Sequence, residues 1–287
     1  MEIGTHVGDP RTAQLQRTCG CPTPVHDSNA CPGPDCSPGT ALRHSAGAAV
    51  HLLQYPAVGR CQVVTGRLVR IDTHRNRIPL LAGTAAALWA AAIALTIAIA
   101  NASGPPAIDT GIADPVHAWA LDNPWAVSLA RMFALMGSGA VLFPITVVVV
   151  LVLLRNHRWW ALWVAACGIG GLVISQVVKR TIDRQRPVWP DPFEAPDSFS
   201  FPSGHTMAGI YGWVVFGIVA LYLLRGPWNR IVGVALIAFG VLMGPSRVVF
   251  GVHWPTDVLG GWLYASAWVL TVTALLLWRR YRIAPGT

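Results

Sequence analysis

Six apolar stretches punctuate this chain: Pro79–Ala100, Ser138–Leu154, Trp159–Val178, His205–Leu224, Ile231–Val249 and Val258–Trp278. Each comes near the roughly 20 apolar residues that a helix needs to cross a bilayer, although the second is short. Lipid offers no partner for an open N–H or C=O, so runs of this length form helices there. The fold class is therefore all-α, an integral membrane bundle of six transmembrane helices. Composition agrees: 53% hydrophobic and 12% charged residues with a mean hydropathy of +0.49 exclude an ordinary soluble protein. The net charge of +8 does not imply a nucleic-acid partner, because the basic residues stand between the apolar runs and line no continuous polar face.

Between the first two runs, Val116–Met136 is interrupted by Asp122, Pro124 and Arg131. Charges are costly at the bilayer centre and proline breaks or kinks a helix. The segment is read as an interfacial amphipathic one, with Trp119 and Trp125 at headgroup level. Residues 1–65 are rich in Pro, Gly, Ser, Thr and Cys and have no periodicity; they are expected to be a disordered tail ahead of a membrane domain at 66–287. They lack the basic start, apolar core and cleavage site of a secretory signal peptide, and a start codon assigned too far upstream is an alternative reading. Cys19, Cys21, Cys31 and Cys36, with His26 among them, and Cys61 also lie in this tail. Their spacing is not the regular two-residue spacing of zinc modules, and no metal site is assigned. Cys167, inside an apolar run, is read as a small core residue.

Arginines set the orientation. Arg60, Arg67, Arg70, Arg75 and Arg77 precede the first run, Arg155 and Arg158 follow the second, Arg225 and Arg230 the fourth, and Arg279, Arg280 and Arg282 the sixth. The positive-inside rule places these alternate connections, and both termini, in the cytoplasm of a cell membrane. Parity then puts residues 179–204 and 250–257 together on the outer side.

Those two connections hold the polar groups that look out of place beside membrane helices: Lys179–Pro187 (KRTIDRQRP), Pro202–His205 (PSGH) and Ser246–Asp257 (SRVVFGVHWPTD). Of 21 basic residues Lys179 alone is a lysine. Lys179 and Arg186 stand seven residues apart, two helical turns, so both are expected to project from one face of a helix that Pro187 ends. With Arg247 they make three cations able to hold a phosphate. Arg180 and Arg184 are read instead as helix-end arginines reaching headgroups, so Arg184→Ala is expected to leave most activity. Asp183 is expected to pair with Lys179 one turn earlier, while Asp191, Glu194 and Asp197 look like solvated loop charges. Ser203 and Gly204 begin a helix, where unpaired N–H groups favour an anion, and Ser203 also suits an ordinary N-cap.

His205 and His253 together suit in-line phosphoryl transfer through a covalent intermediate, one as nucleophile and the other as proton donor. Asp257, four residues after His253, is placed to accept its ring N–H and fix its tautomer. Trp189 and Trp254 either line a path for lipid or anchor the interface; anchoring is the simpler reading.

The three stretches, K-x6-RP, PSGH and SR-x5-H-x3-D, occur in order and with full spacing. They resemble the signature of the type 2 phosphatidic acid phosphatase family, which shares its site with vanadium haloperoxidases, and the resemblance covers roughly residues 79–278. It implies that His253 forms a phosphohistidine, Asp257 orients it, His205 protonates the leaving alcohol, and Ser203 and Gly204 join Lys179, Arg186 and Arg247 around the phosphate. It further implies a lipid phosphate or pyrophosphate substrate reached within the bilayer and no cofactor or metal. Phosphatidic acid, phosphatidylglycerophosphate and an isoprenoid pyrophosphate all fit, with a lean to the last because the site is placed outside. A lipid-linked phosphotransferase using the same site and a non-catalytic lipid-binding or transport protein stand as alternatives. Six spans argue against a haloperoxidase.

Overall fold

A computed structural model describes residues 61–64, 67–70 and 77–283. Strands β1 (Cys61–Val64) and β2 (Arg67–Arg70) pair antiparallel. The rest of the expected tail, with Cys19, Cys21, His26, Cys31 and Cys36, lies outside the described residues. Helices follow: α1 (Ile78–Ala100), α2 (Ala107–Leu121), α3 (Pro124–Gly137), α4 (Gly139–Asn156), α5 (Arg158–Ile182), α6 (Gly204–Leu223), α7 (Trp228–Val249) and α8 (Pro255–Ile283). All six expected spans are present as α1 and α4 to α8, each long and apolar enough to cross a membrane. The chain is an all-helical membrane bundle with a small strand pair before it.

The interrupted segment forms two short helices and no span. Helix α2 begins nine residues before Val116 and stops at Asp122; Pro124 opens α3, where its missing N–H costs nothing. Trp119 and Trp125 are exposed and meet edge to face at 5.9 Å, as the headgroup reading expects.

Outward faces carry bare apolar side chains such as Phe143, Leu151 and Ile169, which suits lipid contact and not water. Inside, several polar groups are paired across helices, since lipid cannot satisfy them. Trp89 donates to Thr271 at 3.1 Å, Trp163 to Thr273 at 2.9 Å, and Thr96 meets the Tyr264 hydroxyl at 2.7 Å. These bonds dock α1 and α5 on α8. Helices α6 and α7 approach so closely at Gly209 and Gly240 that a Cβ on either would strike the carbonyl oxygen of the other. Cysteine 167 is fully buried in this core, as expected of a small apolar residue.

The backbone contact at Gly240 makes a prediction. Gly240→Leu forces α6 and α7 apart, at a cost of about 1–3 kcal/mol for overpacking, whereas Gly83→Ala meets nothing within 4 Å. Thermal unfolding in detergent should show a fall of several degrees for the first and no fall for the second; equal midpoints would remove the tight crossing from the account.

Candidate active site

The two connections expected on one side do meet at one end of the bundle, where residues 183–203 pack against 250–257. Helix α5 does not run to Pro187. It stops at Ile182, where Asp183 adopts a left-handed conformation (φ 55°, ψ 31°) and returns its N–H to the Lys179 carbonyl. Aspartate tolerates this region better than most residues. The helical-face argument for Lys179 and Arg186 therefore fails, and Asp183 is a helix cap that makes no ion pair with Lys179. Lys179 and Arg186 still converge, because the chain turns back after Asp183. Lys179 Nζ donates to the Phe199 carbonyl at 2.7 Å. The Arg186 fork donates to the Ser198 carbonyl at 2.6 Å, the Ser198 hydroxyl at 2.9 Å and the Val252 carbonyl at 2.5 Å.

His253 lies on the turn between α7 and α8, which reverses at Gly251 with φ +70°. Its Nε2 sits 3.1 Å from Arg186 Nη1 and its Nδ1 3.3 Å from Asp257 Oδ2. A guanidinium can only donate, so Nε2 accepts and the ring proton is on Nδ1, directed at Asp257. Burial, then the charges of Arg186, Arg247 and Lys179, hold the His253 imidazole well below its ordinary pKa. The ring is neutral, with the Nε2 lone pair on the side of the cations.

Asp257 begins α8 and has no exposed surface. Besides His253 it accepts from the Trp254 amide at 2.8 Å, from the Ser200 hydroxyl, and from Arg184 Nη1 at 2.5 Å. Arg184 is thus no headgroup arginine. Its side chain is 9% exposed and is held between the carboxylates of Asp257 and Asp109. The headgroup reading of Arg184 is overturned, because a guanidinium shared by two buried carboxylates has no route to a headgroup.

His205 occupies the first turn of α6, its Nε2 donating to the Ala134 carbonyl at 3.1 Å. Ser203 is the N-cap of α6, its Oγ accepting the Thr206 N–H at 3.4 Å, and is fully buried. Its own N–H donates to the Asp257 carbonyl at 3.0 Å, fastening α6 to α8. Arg247, in the last turn of α7, is 2% exposed, yet its Nε and Nη1 have no hydrogen-bond partner. Such buried, unpaired donors are costly.

Two clefts meet at this cluster. The first, about 590 Å³, runs between α4 and α5 along Leu142, Val147, Val150, Gly168 and Leu172, and ends at Lys179, Arg186, Gly204, His205 and His253. The second, about 600 Å³, reaches Arg186 and His205 from the loop side past Arg131, Glu194 and Arg247. Gly204 lines the first cleft; Ser203 lines neither. Trp189 and Trp254 are not interfacial anchors: Trp189 donates to the Gly251 carbonyl at 2.7 Å and stacks on His117, and Trp254 donates to the Gln185 carbonyl at 3.1 Å. Both fasten the loops that carry this cluster. Asp191, Glu194 and Asp197 are exposed, as expected. Arg184, Asp109, Ser198 and Ser200 escaped the sequence reading; only Arg184 carried a signal, its place inside KRTIDRQRP.

The sequence model of the PAP2 superfamily matches residues 160–281, which contain all three motif stretches. Phosphatidylglycerophosphatase B of Bacillus subtilis is 32% identical over 143 residues, 48% of this chain and 70% of that protein. Undecaprenyl-diphosphatase of Sulfolobus acidocaldarius is 32% identical over 130 residues, 44% of this chain and 59% of that protein. Among solved structures, a transmembrane PAP2-type phosphatidylglycerolphosphate phosphatase from Bacillus subtilis superposes with a TM-score of 0.56 over 71% of this chain and 98% of its own, at 24% identity, which is a likeness of fold. By its motifs, its fold and these relatives, the chain belongs to the PAP2 superfamily.

Proposed function

We propose that this protein is a membrane phosphatase that hydrolyses a lipid phosphate or pyrophosphate through a phosphohistidine, without a metal. The observation that carries the reading is the apolar cleft between α4 and α5 that ends on two cations and two histidines. A lipid tail fits the cleft while its phosphate meets Lys179, Arg186 and the Gly204 end of α6. Arg186 leaves Nε2 of His253 for a phosphate oxygen, freeing the lone pair to attack phosphorus. The bond to the leaving oxygen breaks as His205, entering the step as an imidazolium with protons on both ring nitrogens, gives that oxygen its Nδ1 proton and keeps its Nε2–H on Ala134. Water entering by the second cleft then attacks the phosphohistidine, gives its proton to His205 and releases inorganic phosphate and neutral His253. Cationic side chains take the charge that develops on the oxygens.

Phosphatidylglycerophosphate and undecaprenyl diphosphate are among the substrates named in the relatives, and both suit the cleft. Arg77, Arg155, Arg158, Arg225, Arg230, Arg279 and Arg280 stand at the helix ends opposite those that carry the site, which supports an outward-facing site. The second cleft also has room for an acceptor larger than water; a phosphotransferase would show phosphate release that falls as an acceptor alcohol is added.

Phosphate release by purified protein in detergent with EDTA, offered phosphatidic acid, phosphatidylglycerophosphate and isoprenoid pyrophosphate, tests the mechanism. His253→Ala should lower the rate by about 10³-fold or more; a variant that keeps a tenth of the rate, or loss of the wild-type rate in EDTA, would overturn it. The depressed pKa of His253 fixes the pH response. The nucleophile must be unprotonated, and its acid form appears only well below the ordinary value of about 6.5, so kcat/KM should hold its plateau through pH 6.5 and fall at lower pH. A limb centred at or above 6.5 would argue against a buried neutral His253. The lipid cleft is tested at Gly168, whose Cβ position is 3.7 Å from Thr146. Gly168→Phe should raise KM for a long-chain substrate about tenfold, the worth of roughly 1.4 kcal/mol of lost binding, and leave a water-soluble phosphomonoester unchanged. Equal losses on both would mean that the tail lies elsewhere.

A further inference from the structure

Asp109 stands on α2, outside all three motif stretches, and is fully buried. It accepts the backbone N–H of Thr256 at 2.8 Å through Oδ1, and both the Thr256 hydroxyl at 2.7 Å and Arg184 Nη2 at 2.5 Å through Oδ2. Arg184 uses its other nitrogen, Nη1, for Thr256 Oγ1 at 2.8 Å and Asp257 Oδ1 at 2.5 Å. One guanidinium therefore spans two buried carboxylates, and the second of these accepts the Nδ1 proton of His253. The fork is needed for this: an ammonium is a point donor, whereas a guanidinium presents two nitrogens side by side in a fixed plane.

We propose that Asp109 and Arg184 are positioning residues for the nucleophile, forming a chain Asp109–Arg184–Asp257–His253 that keeps the Asp257 carboxylate charged, aims it at Nδ1, and ties its orientation to α2. The proposal rests on the reading of His253 as nucleophile. A buried carboxylate beside a neutral histidine is costly unless a cation lies against it, and Arg184 is the cation in contact with Asp257. Lys179, Arg186, Arg247 and His205 face His253 from its other side and serve the phosphate. Asp109 in turn prevents Arg184 from rotating toward Asp257 alone, because it holds the second nitrogen and the Thr256 backbone at the start of α8. Neither residue touches the reacting atoms.

The test reads charge and geometry separately in the full-length protein in detergent. Asp109→Asn removes a negative charge and should move the acid limb of kcat/KM to lower pH. Arg184→Gln removes a positive charge and should move it to higher pH, each by about one unit. The double variant restores the net charge and should bring the limb back toward the wild-type position while kcat stays low. Arg184→Lys keeps the charge but loses the fork, so the limb should stay while kcat falls about tenfold, less than the roughly 10⁴-fold loss seen when an orienting carboxylate is itself neutralised. KM should change less than kcat in all four. Limbs that move in the same direction in the two single variants, or a kcat within twofold of wild type in both, would overturn the proposal. The ¹⁵N shifts of His253 in histidine-labelled protein should titrate with the same opposed signs. That readout needs no turnover, so an inactive wild type would sink the phosphatase reading while these signs still decide the positioning role. A variant that unfolds is replaced by Thr256→Val, which removes one hydroxyl from the Asp109 and Arg184 contacts and should lower kcat without moving the limb; an unchanged kcat there counts against the proposal.

Discussion

The carboxylate of Asp257 has no water to turn to, so protein must satisfy all of its hydrogen bonding, and it draws donors from across the fold. The Trp254 amide and His253 come from the turn before α8, Ser200 from the segment before α6, and Arg184 from the segment after α5. Breaking a buried, hydrogen-bonded charge of this kind costs about 3–5 kcal/mol, a large fraction of what holds a domain together. The requirement is also what brings the separated stretches to one place. A loop that swung away would leave the carboxylate short of a donor, and the geometry of His253 follows from that penalty.

The bilayer imposes the same rule on a larger scale. Polar groups inside the bundle are paired across helices, while apolar ones face outward. Of the buried groups left unpaired among the described residues, Arg247 is the one that lines a cleft. Arg247 is buried with two nitrogens unpartnered and packs its guanidinium 5.2 Å from the centre of the Phe250 ring. A cation–π contact returns part of the lost hydration without filling the donors.

How much of this could be read from residues alone depended on range. The spans were legible because a 20-residue apolar run has few other stable forms in lipid, and the observed helices differ from the expected bounds by a few residues at either end. The motif residues were legible because phosphoryl transfer needs particular groups at particular spacings, and Lys179, Arg186, His205 and His253 do converge on one cleft. What failed depended on local backbone geometry or on distant pairing. Pro187 looked like the natural end of α5, yet Asp183 ended it in a left-handed cap four residues earlier. Trp189 and Trp254 looked like interfacial anchors because aromatic residues near helix ends usually are, but their N–H groups fasten loop carbonyls.

Arg184 and Asp109 show why a charge in an apolar chain resists classification from sequence. An arginine at a helix end snorkels to headgroups unless a buried carboxylate lies within reach, and the carboxylate here is 75 residues away, on a helix that begins nine residues ahead of the amphipathic segment. Nothing in the sequence between Asn101 and Asp114 marks Asp109 as buried. Its burial becomes intelligible only with α2 laid against the start of α8, where the Thr256 N–H sits in the unpaired first turn of a helix and needs an acceptor. A carboxylate meets that need better than water, and the negative charge it brings is favourable at a helix start. One residue thus caps α8 and anchors the arginine that stands behind Asp257, the carboxylate against His253. In this bundle the capping of a helix and the anchoring of the arginine behind the carboxylate that His253 meets are served by the same charge.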